Sequence, residues 1–242
     1  MDFKIGVFDS GIGGLSILRE LEKVLPNEDF YYYGDSLNNP YGEKSDEELF
    51  MITSEVVDYL IDKGCKLIVI ACNTATTRCM KYLREKYQDI TFVGTVPAIK
   101  VACDKEFKNT LVMATPATIE SERTSELIRD NKREDQNIYL VACPGLARAI
   151  EVEDKEKIEE ILKNTFSEYK DKNIDSIVLG CTHYPFIKEE ILKEMPRVSL
   201  IDGVRGVSLE VKRQLENNGL LSEARDRKIV IYNSLTKKEV IK

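Results

Sequence analysis

Two stretches place a cysteine in the same setting. "LIVIACNTAT" (67–76) and "IVLGCTHYPF" (177–186) each end an apolar run on a small residue, then a cysteine, then polar residues with hydroxyls. His183, the only histidine in the chain, stands two residues after Cys181. A cysteine just past a strand and just before a helix lies near backbone N–H groups and the positive end of the helix dipole. Both favour thiolate, against an ordinary thiol pKa of roughly 8.5. Asn73–Thr74 and Thr182–His183 add donors at the expected helix starts, where carboxylates are readily held. One such thiol could be a nucleophile or a metal ligand. Two that face each other could do more: one removes a proton from a carbon, the other returns a proton to the opposite face, and the centre is inverted. His183 is placed to tune Cys181, although a single histidine in isolation reads as a core or surface residue. Asp9–Ser10, in "GVFDSG", is either a turn made possible by the glycines or a further proton-handling group.

Such residues need a scaffold. Strand candidates are Lys4–Phe8, Phe30–Gly34, Leu67–Ala71, Thr91–Gly94, Thr110–Ala114, Ile138–Ala142, Ser176–Gly180, Val198–Ile201 and Lys228–Tyr232. Helical patterns fall between them at Leu15–Val24, Asp46–Asp62, Thr74–Lys86, Ile119–Arg129, Lys155–Tyr169, Tyr184–Glu194 and Val207–Asn217. This alternation predicts an α/β fold of mainly parallel sheets flanked by helices. Apolar strands such as "LIVIA" and "SIVLG" fit sheets covered on both faces. The two cysteine stretches can be superposed, one in each half, which points to two similar lobes. Both cysteines then sit at carboxyl ends of strands, where open sheets bind ligands, and the active site is expected in the cleft between the lobes.

Composition narrows the classes. The chain has 242 residues, 43% of them hydrophobic, with a net charge of −7, which disfavours direct nucleic-acid binding. No window approaches the roughly 18 apolar residues of a membrane span, and the start of the chain lacks a signal-peptide pattern. A soluble cytoplasmic protein is expected. The six cysteines include no C-x-x-C pair, so reduced, mostly buried thiols and no metal site are expected.

Three further stretches admit two readings each. "GIGGLS" (11–16) nearly matches the dinucleotide fingerprint, with Ser16 in place of the last glycine and Asp35 roughly where a ribose-binding acid would stand. "NNPYGEKS" (38–45) is a turn before a helix, or exposed N–H groups at Tyr41 and Gly42 that clasp a carboxylate. "ATPATIES" (114–121) is an N-cap for the helix after Thr118, or another hydroxyl-rich loop at a strand end.

Taken in order, "GVFDSGIGG", "NNPYGEKS", "ACNTAT", "GTVPAIK", "ATPATIES" and "LGCTHYPF" resemble the glutamate racemases of the aspartate/glutamate racemase family, from Gly6 to about Gly203. The resemblance implies cofactor-independent interconversion of L- and D-glutamate, supplying D-glutamate for peptidoglycan, by a homodimer of two-lobed chains. It implies a first lobe of residues 1–96 plus 206–242 and a second of 97–205. By motif, Cys72 and Cys181 transfer the protons, the first acting on the D enantiomer and the second on the L. Asp9, His183 and, through a looser motif, Glu151 assist them. Asp9, Ser10, Tyr41, Gly42, Asn73, Thr74, Thr118, Thr182 and His183 hold the substrate's carboxylates and amine. Pro116–Ala117 and Ala147–Arg148 depart from the family pattern. The chain begins directly at the first strand, so control by a wall precursor through an N-terminal extension is not expected. The alternatives are a non-catalytic dicarboxylate-binding or gyrase-inhibiting protein on the same scaffold, and a racemase of another amino acid such as aspartate.

Overall fold

The structure is a computed structural model and describes residues 4–223 and 227–242. Its strands are β1 (Lys4–Asp9), β2 (Asp29–Gly34), β3 (Cys65–Ile70), β4 (Thr91–Gly94), β5 (Asn109–Ala114), β6 (Asn137–Ala142), β7 (Ser176–Leu179), β8 (Ser199–Ile201), β9 (Ile229–Asn233) and β10 (Lys238–Ile241). Its α-helices are α1 (Leu15–Val24), α2 (Asp46–Asp62), α3 (Asn73–Lys86), α4 (Ile99–Asp104), α5 (Pro116–Ile119), α6 (Glu122–Asn131), α7 (Leu146–Glu151), α8 (Lys155–Ser167), α9 (Lys188–Glu194) and α10 (Val204–Asn217). The chain divides into two compact units, Met1–Thr95 with Val204–Lys242, and Val96–Gly203.

The first unit is built on a sheet of order β10-β9-β2-β1-β3-β4, parallel throughout except for β10, which pairs antiparallel with β9. Side chains alternate along the strands and feed two cores. Ile5, Val7, Leu67 and Val69 pack against Ile17, Leu18 and Leu21 of α1 and Val207, Val211 and Leu215 of α10. Phe8, Ile68 and Ile70 pack on the other face against Leu49, Val57 and Leu60 of α2 and Ala75, Cys79 and Leu83 of α3. Burial on both faces is why these strands read as unbroken apolar runs; each buried Ile or Leu contributes roughly 1.5–3 kcal/mol.

The second unit repeats the plan on a smaller parallel sheet of order β6-β5-β7-β8. Leu111, Met113, Ile177 and Leu179 face α7, α8 and α9, while Val112, Val178 and Ile201 face α4 and α6. Mainly parallel α/β architecture is therefore the observed fold class.

Several local expectations change. The helix foreseen at Ile119–Arg129 is two, because Ser121 stops α5 and caps α6: its Oγ accepts the Thr124 N–H at 3.2 Å. Thr118 therefore lies inside α5 and is not the cap. The pattern at Tyr184–Glu194 opens with a 3-10 segment, Tyr184–Ile187, before α9. The short helices α4 and α7, and the strand β10, were not foreseen. Ser45 caps α2 with a reciprocal bond from the Ser45 N–H to Glu48, so "NNPYGEKS" ends on a helix start.

Candidate functional site

In the first unit three strand ends lie side by side. β2 and β3 flank β1, the Asp35 N–H donates to Asp9 O at 2.9 Å, and the Ala71 N–H donates to Phe8 O at 2.7 Å. Asp35, Asp9 and Cys72 thus emerge in a row at the carboxyl end of the sheet. Asp9 is fully buried, and its Oδ2 accepts the Gly11 and Gly14 N–H groups at 3.3 and 3.0 Å. The glycines serve this turn: a β-carbon on Gly14 would lie 2.8 Å from that of Asp9 and 2.9 Å from that of Ala71. Those amides point at a side chain of the same turn, and Asp35 is spoken for by neighbours described below. The dinucleotide reading of "GIGGLS" therefore lacks the free amides and the free acid it needs.

Cys72 is the N-cap of the 14-residue α3, with φ −135° and ψ 121°. Its carbonyl accepts the Thr76 N–H at 2.9 Å, and its Sγ lies 3.9 Å from Ser10 Oγ. The helix start expected after this cysteine is present. Asn73 and Thr74 follow in the first turn, both buried. Asn73 Oδ1 is buried with no hydrogen-bond partner among the described residues, a carbonyl acceptor open to a donor such as an ammonium group.

The sequence offers Tyr41 for its backbone N–H, beside that of half-buried Gly42. Its side chain does something the sequence did not reveal. The hydroxyl donates to Asp35 Oδ2 at 2.6 Å, and the ring packs in the apolar cluster that includes Cys72. Burial, then the Asp35 carboxylate, push the phenol well above its ordinary range, so Tyr41 stays a neutral donor. Asn39, also unforeseen, donates from Nδ2 to Ser10 O at 3.1 Å. Neither pairing has a local signature; only the doubled asparagine before Pro-Tyr-Gly hints at it.

In the second unit Cys181 follows β7 after Gly180, whose N–H donates to Met113 O at 2.8 Å. A β-carbon on Gly180 would sit 2.9 Å from both Ala114 Cβ and Met113 O, so glycine is needed for the strand end to approach β5. Cys181 does not start an α-helix: Thr182 and His183 lead into the 3-10 segment, and the dipole argument fails here. A different device stands in its place. His183 Nδ1 lies 3.9 Å from Cys181 Sγ, and His183 Nε2 lies 2.6 Å from Glu151 Oε2, with both side chains almost wholly buried. With Glu151 ionised and accepting from Nε2–H, a neutral ring turns Nδ1 to the thiol as an acceptor. Glu151 is brought there as the last residue of α7.

Thr118 is fully buried, and its hydroxyl lies 3.1 Å from that of Thr115, while its carbonyl accepts from Ser121 and Thr124. Thr182 is buried beside Cys181. The first unit therefore groups Asp9, Ser10, Tyr41, Gly42, Cys72, Asn73 and Thr74; the second groups Cys181, Thr182, His183 and Glu151, with Thr118 in α5, the short helix that follows the neighbouring strand β5. All six cysteines are buried and unbridged. Burial pushes Cys65, Cys79 and Cys143 up to about 12, marking them as neutral core thiols. Among the described residues no helix is long and apolar enough to cross a membrane.

The profile of the Asp/Glu/Hydantoin racemase family matches residues 5–207. A glutamate racemase of Clostridium botulinum (strain Kyoto / Type A2) is 47% identical over 246 residues, covering 99% of this chain and 95% of that one. The crystal structure of glutamate racemase from Francisella tularensis in complex with D-glutamate is 34% identical, with a TM-score of 0.84 over 96% of this chain and 88% of that one. The Escherichia coli glutamate racemase in complex with L-glutamate and the activator UDP-MurNAc-Ala has a TM-score of 0.83 at 29% identity, over 96% and 89%.

Proposed function

Since this chain belongs to the Asp/Glu/hydantoin racemase family, we propose that it interconverts L- and D-glutamate with two cysteines and no cofactor. Relatives named for this activity cover nearly the whole chain, and two solved relatives hold D- and L-glutamate. The observation that carries the reading is that each unit ends a central strand on a cysteine with a polar partner at its sulfur, Ser10 for Cys72 and His183 for Cys181.

In this reading one glutamate is attended by both thiols. From D-glutamate, the Cys72 thiolate takes the α-proton and the C–H electron pair passes onto the α-carboxylate. The Cys181 thiol then gives its proton to the opposite face, the electron pair forms the new C–H bond, and Cys181 is left as thiolate. The path from L-glutamate is the reverse. His183 holds the Cys181 proton when the sulfur needs to shed it, and Glu151 fixes the imidazole. Asp9 assists on the Cys72 side. Ser10, the Tyr41 and Gly42 amides, Asn73, Thr74, Thr118 and Thr182 hold the carboxylates and the ammonium with neutral groups. The product would supply peptidoglycan synthesis, and the same reading includes a cytoplasmic homodimer.

The test is proton exchange in heavy water, followed by NMR at the α-carbon and by circular dichroism, with no cofactor added. Each enantiomer should yield its mirror image carrying deuterium, and aspartate should not react. Cys72→Ala and Cys181→Ala should each abolish interconversion. Wild-type protein that binds glutamate without α-exchange, or single variants that still racemise, would overturn the reading.

A further inference from the structure

The family profile ends at residue 207, so it assigns nothing to the last strands. Those strands nevertheless reach the Cys72 half-site. β9 pairs with β2 up to Gly34–Asn233, and the next residue, Ser234, starts the turn into β10. Ser234 is buried and uses its hydroxyl in both directions: it donates to Asp35 Oδ1 at 2.8 Å and accepts the Leu37 N–H at 3.0 Å. Its own N–H donates to Gly34 O at 3.0 Å. Asn233 adds a contact from Nδ2 to Ser36 Oγ at 3.0 Å. The turn at the end of β9 is thus fastened at several points to the segment that leads from β2 to Tyr41.

The target of that fastening is a carboxylate with almost no exposure. Asp35 is 1% exposed and collects the Tyr41 hydroxyl at 2.6 Å, the Asn38 amide at 2.9 and 3.2 Å, and the Ser234 hydroxyl. A buried carboxylate keeps its orientation only while each oxygen has donors. Tyr41 in turn packs in the cluster that includes Cys72, and the charges of Cys72 and Asp9 bear on its phenol.

We propose that Ser234 is a positioning residue for the Cys72 half-site, acting through Asp35 on Tyr41 and so on the loop that presents Tyr41 and Gly42. Its hydroxyl touches neither thiol nor substrate. It sets the orientation of the Asp35 carboxylate, which sets the Tyr41 ring against the wall beside Cys72. This role presupposes the two-thiol reading above and adds the C-terminal hairpin to it.

The test compares Ser234→Ala and Ser234→Thr with the wild-type chain, using glutamate deuterated at the α-carbon. Mirror-image substrates have an equilibrium constant of unity, so kcat/KM must fall by the same factor in both directions; a loss of roughly tenfold is expected for Ser234→Ala. The informative readout is the isotope effect on kcat/KM. With Cys72 misaligned, its proton transfer limits more of the rate, so the effect should rise for D-glutamate and shrink for L-glutamate. Threonine keeps the hydroxyl and should restore the wild-type pair of values. Should the alanine variant fail to fold, Ser234→Cys, a weaker donor of similar size, should give the same pattern at smaller amplitude. Glu239→Gln loosens the same hairpin at its bond to Tyr31, away from Asp35, and should leave both isotope effects unchanged. Isotope effects in Ser234→Ala that stay at wild-type values, or move together, would overturn the assignment. Cys72→Ala run alongside separates the two levels. If it still racemises, the two-thiol reading falls and the Ser234 role with it; if it is dead while Ser234→Ala keeps wild-type isotope effects, only the Ser234 role falls.

Discussion

Replacing Glu151 by glutamine removes one charge and keeps the shape of the side chain. The carboxylate lies 2.6 Å from His183 Nε2, and the two side chains are 9% and 1% exposed. Water therefore has little access to take over the bond. A hydrogen bond to a charged group is worth roughly 1.5–3 kcal/mol, which converts to a loss in kcat/KM of about 10- to 160-fold. The mechanism of the loss is specific. A glutamine can turn its NH2 toward Nε2, and the ring proton then moves to Nδ1, the nitrogen that faces Cys181 Sγ at 3.9 Å. An imidazole that presents N–H to the thiol cannot accept its proton. Both directions must slow equally, because the equilibrium constant is fixed. The α-deuterium isotope effect should rise for L-glutamate and shrink for D-glutamate, since the Cys181 step is the one impaired. Circular dichroism progress curves with protiated and deuterated substrates measure both quantities. A variant within twofold of wild type, or one whose isotope effects shift toward D-glutamate, would show that Glu151 and His183 do not serve Cys181.

Two further outcomes follow from the same coordinates. Gly14→Ala puts a β-carbon 2.8 Å from Asp9 Cβ and 2.9 Å from Ala71 Cβ, neither of which can swing aside. Urea unfolding should register a loss of about 1–3 kcal/mol, and turnover should fall by more than the folded fraction does, because Asp9 is displaced. Alkaline pH should weaken the fold through the core thiols: Cys65, Cys79 and Cys143 are pushed from 9.0 up to about 12 by burial. The unfolded chain sheds these protons from about pH 9 while the folded chain holds them, so their contribution is whole below pH 9 and is lost as pH rises toward 12. Each thiol contributes a slope of up to about 1.4 kcal/mol per pH unit. Denaturation midpoints between pH 8 and 10 should fall, and less steeply in Cys79→Ala; an identical slope in that variant would refute the cause.

The sequence exposed the chemistry wherever a local pattern fixed it. Cys72 and Cys181 stood out because both follow apolar runs that can only be buried strands, and His183 because no other histidine competes with it. The α/β plan was legible for the same reason: β1, β3, β5 and β7 are covered on both faces. What stayed hidden depends on partners far along the chain. β10 carries "KEVI" with every residue exposed, so it has neither an apolar run nor a buried alternation. The Ser234–Asp35 bond joins residues 199 apart, and no spacing rule encodes it. The break at Ser121 was missed because a hydroxyl that can cap a helix is indistinguishable, in a string of letters, from one on a helix face. The 3-10 start after Cys181 overturned a dipole argument that had treated the two cysteines as equivalent.

That inequivalence has a physical consequence. Cys72 is supported by the N-terminus of α3 and by the Ser10 hydroxyl 3.9 Å from its sulfur. Cys181 is supported by an imidazole backed by a carboxylate, a pair that can take up and return a proton. In the two-thiol reading, inversion of a carbon is symmetric in its end states, yet its two proton carriers stand among different partners. A chain that built identical supports would gain nothing in kcat/KM, which the slower of the two transfers limits in either direction. Its remedy is to fit each support to its own face. Exchanging them, for example by removing His183 and adding an imidazole at Ser10, should therefore fail to restore turnover even with both thiols in place. Recovery in Ser10→His/His183→Ser would mean that any proton acceptor beside either sulfur suffices.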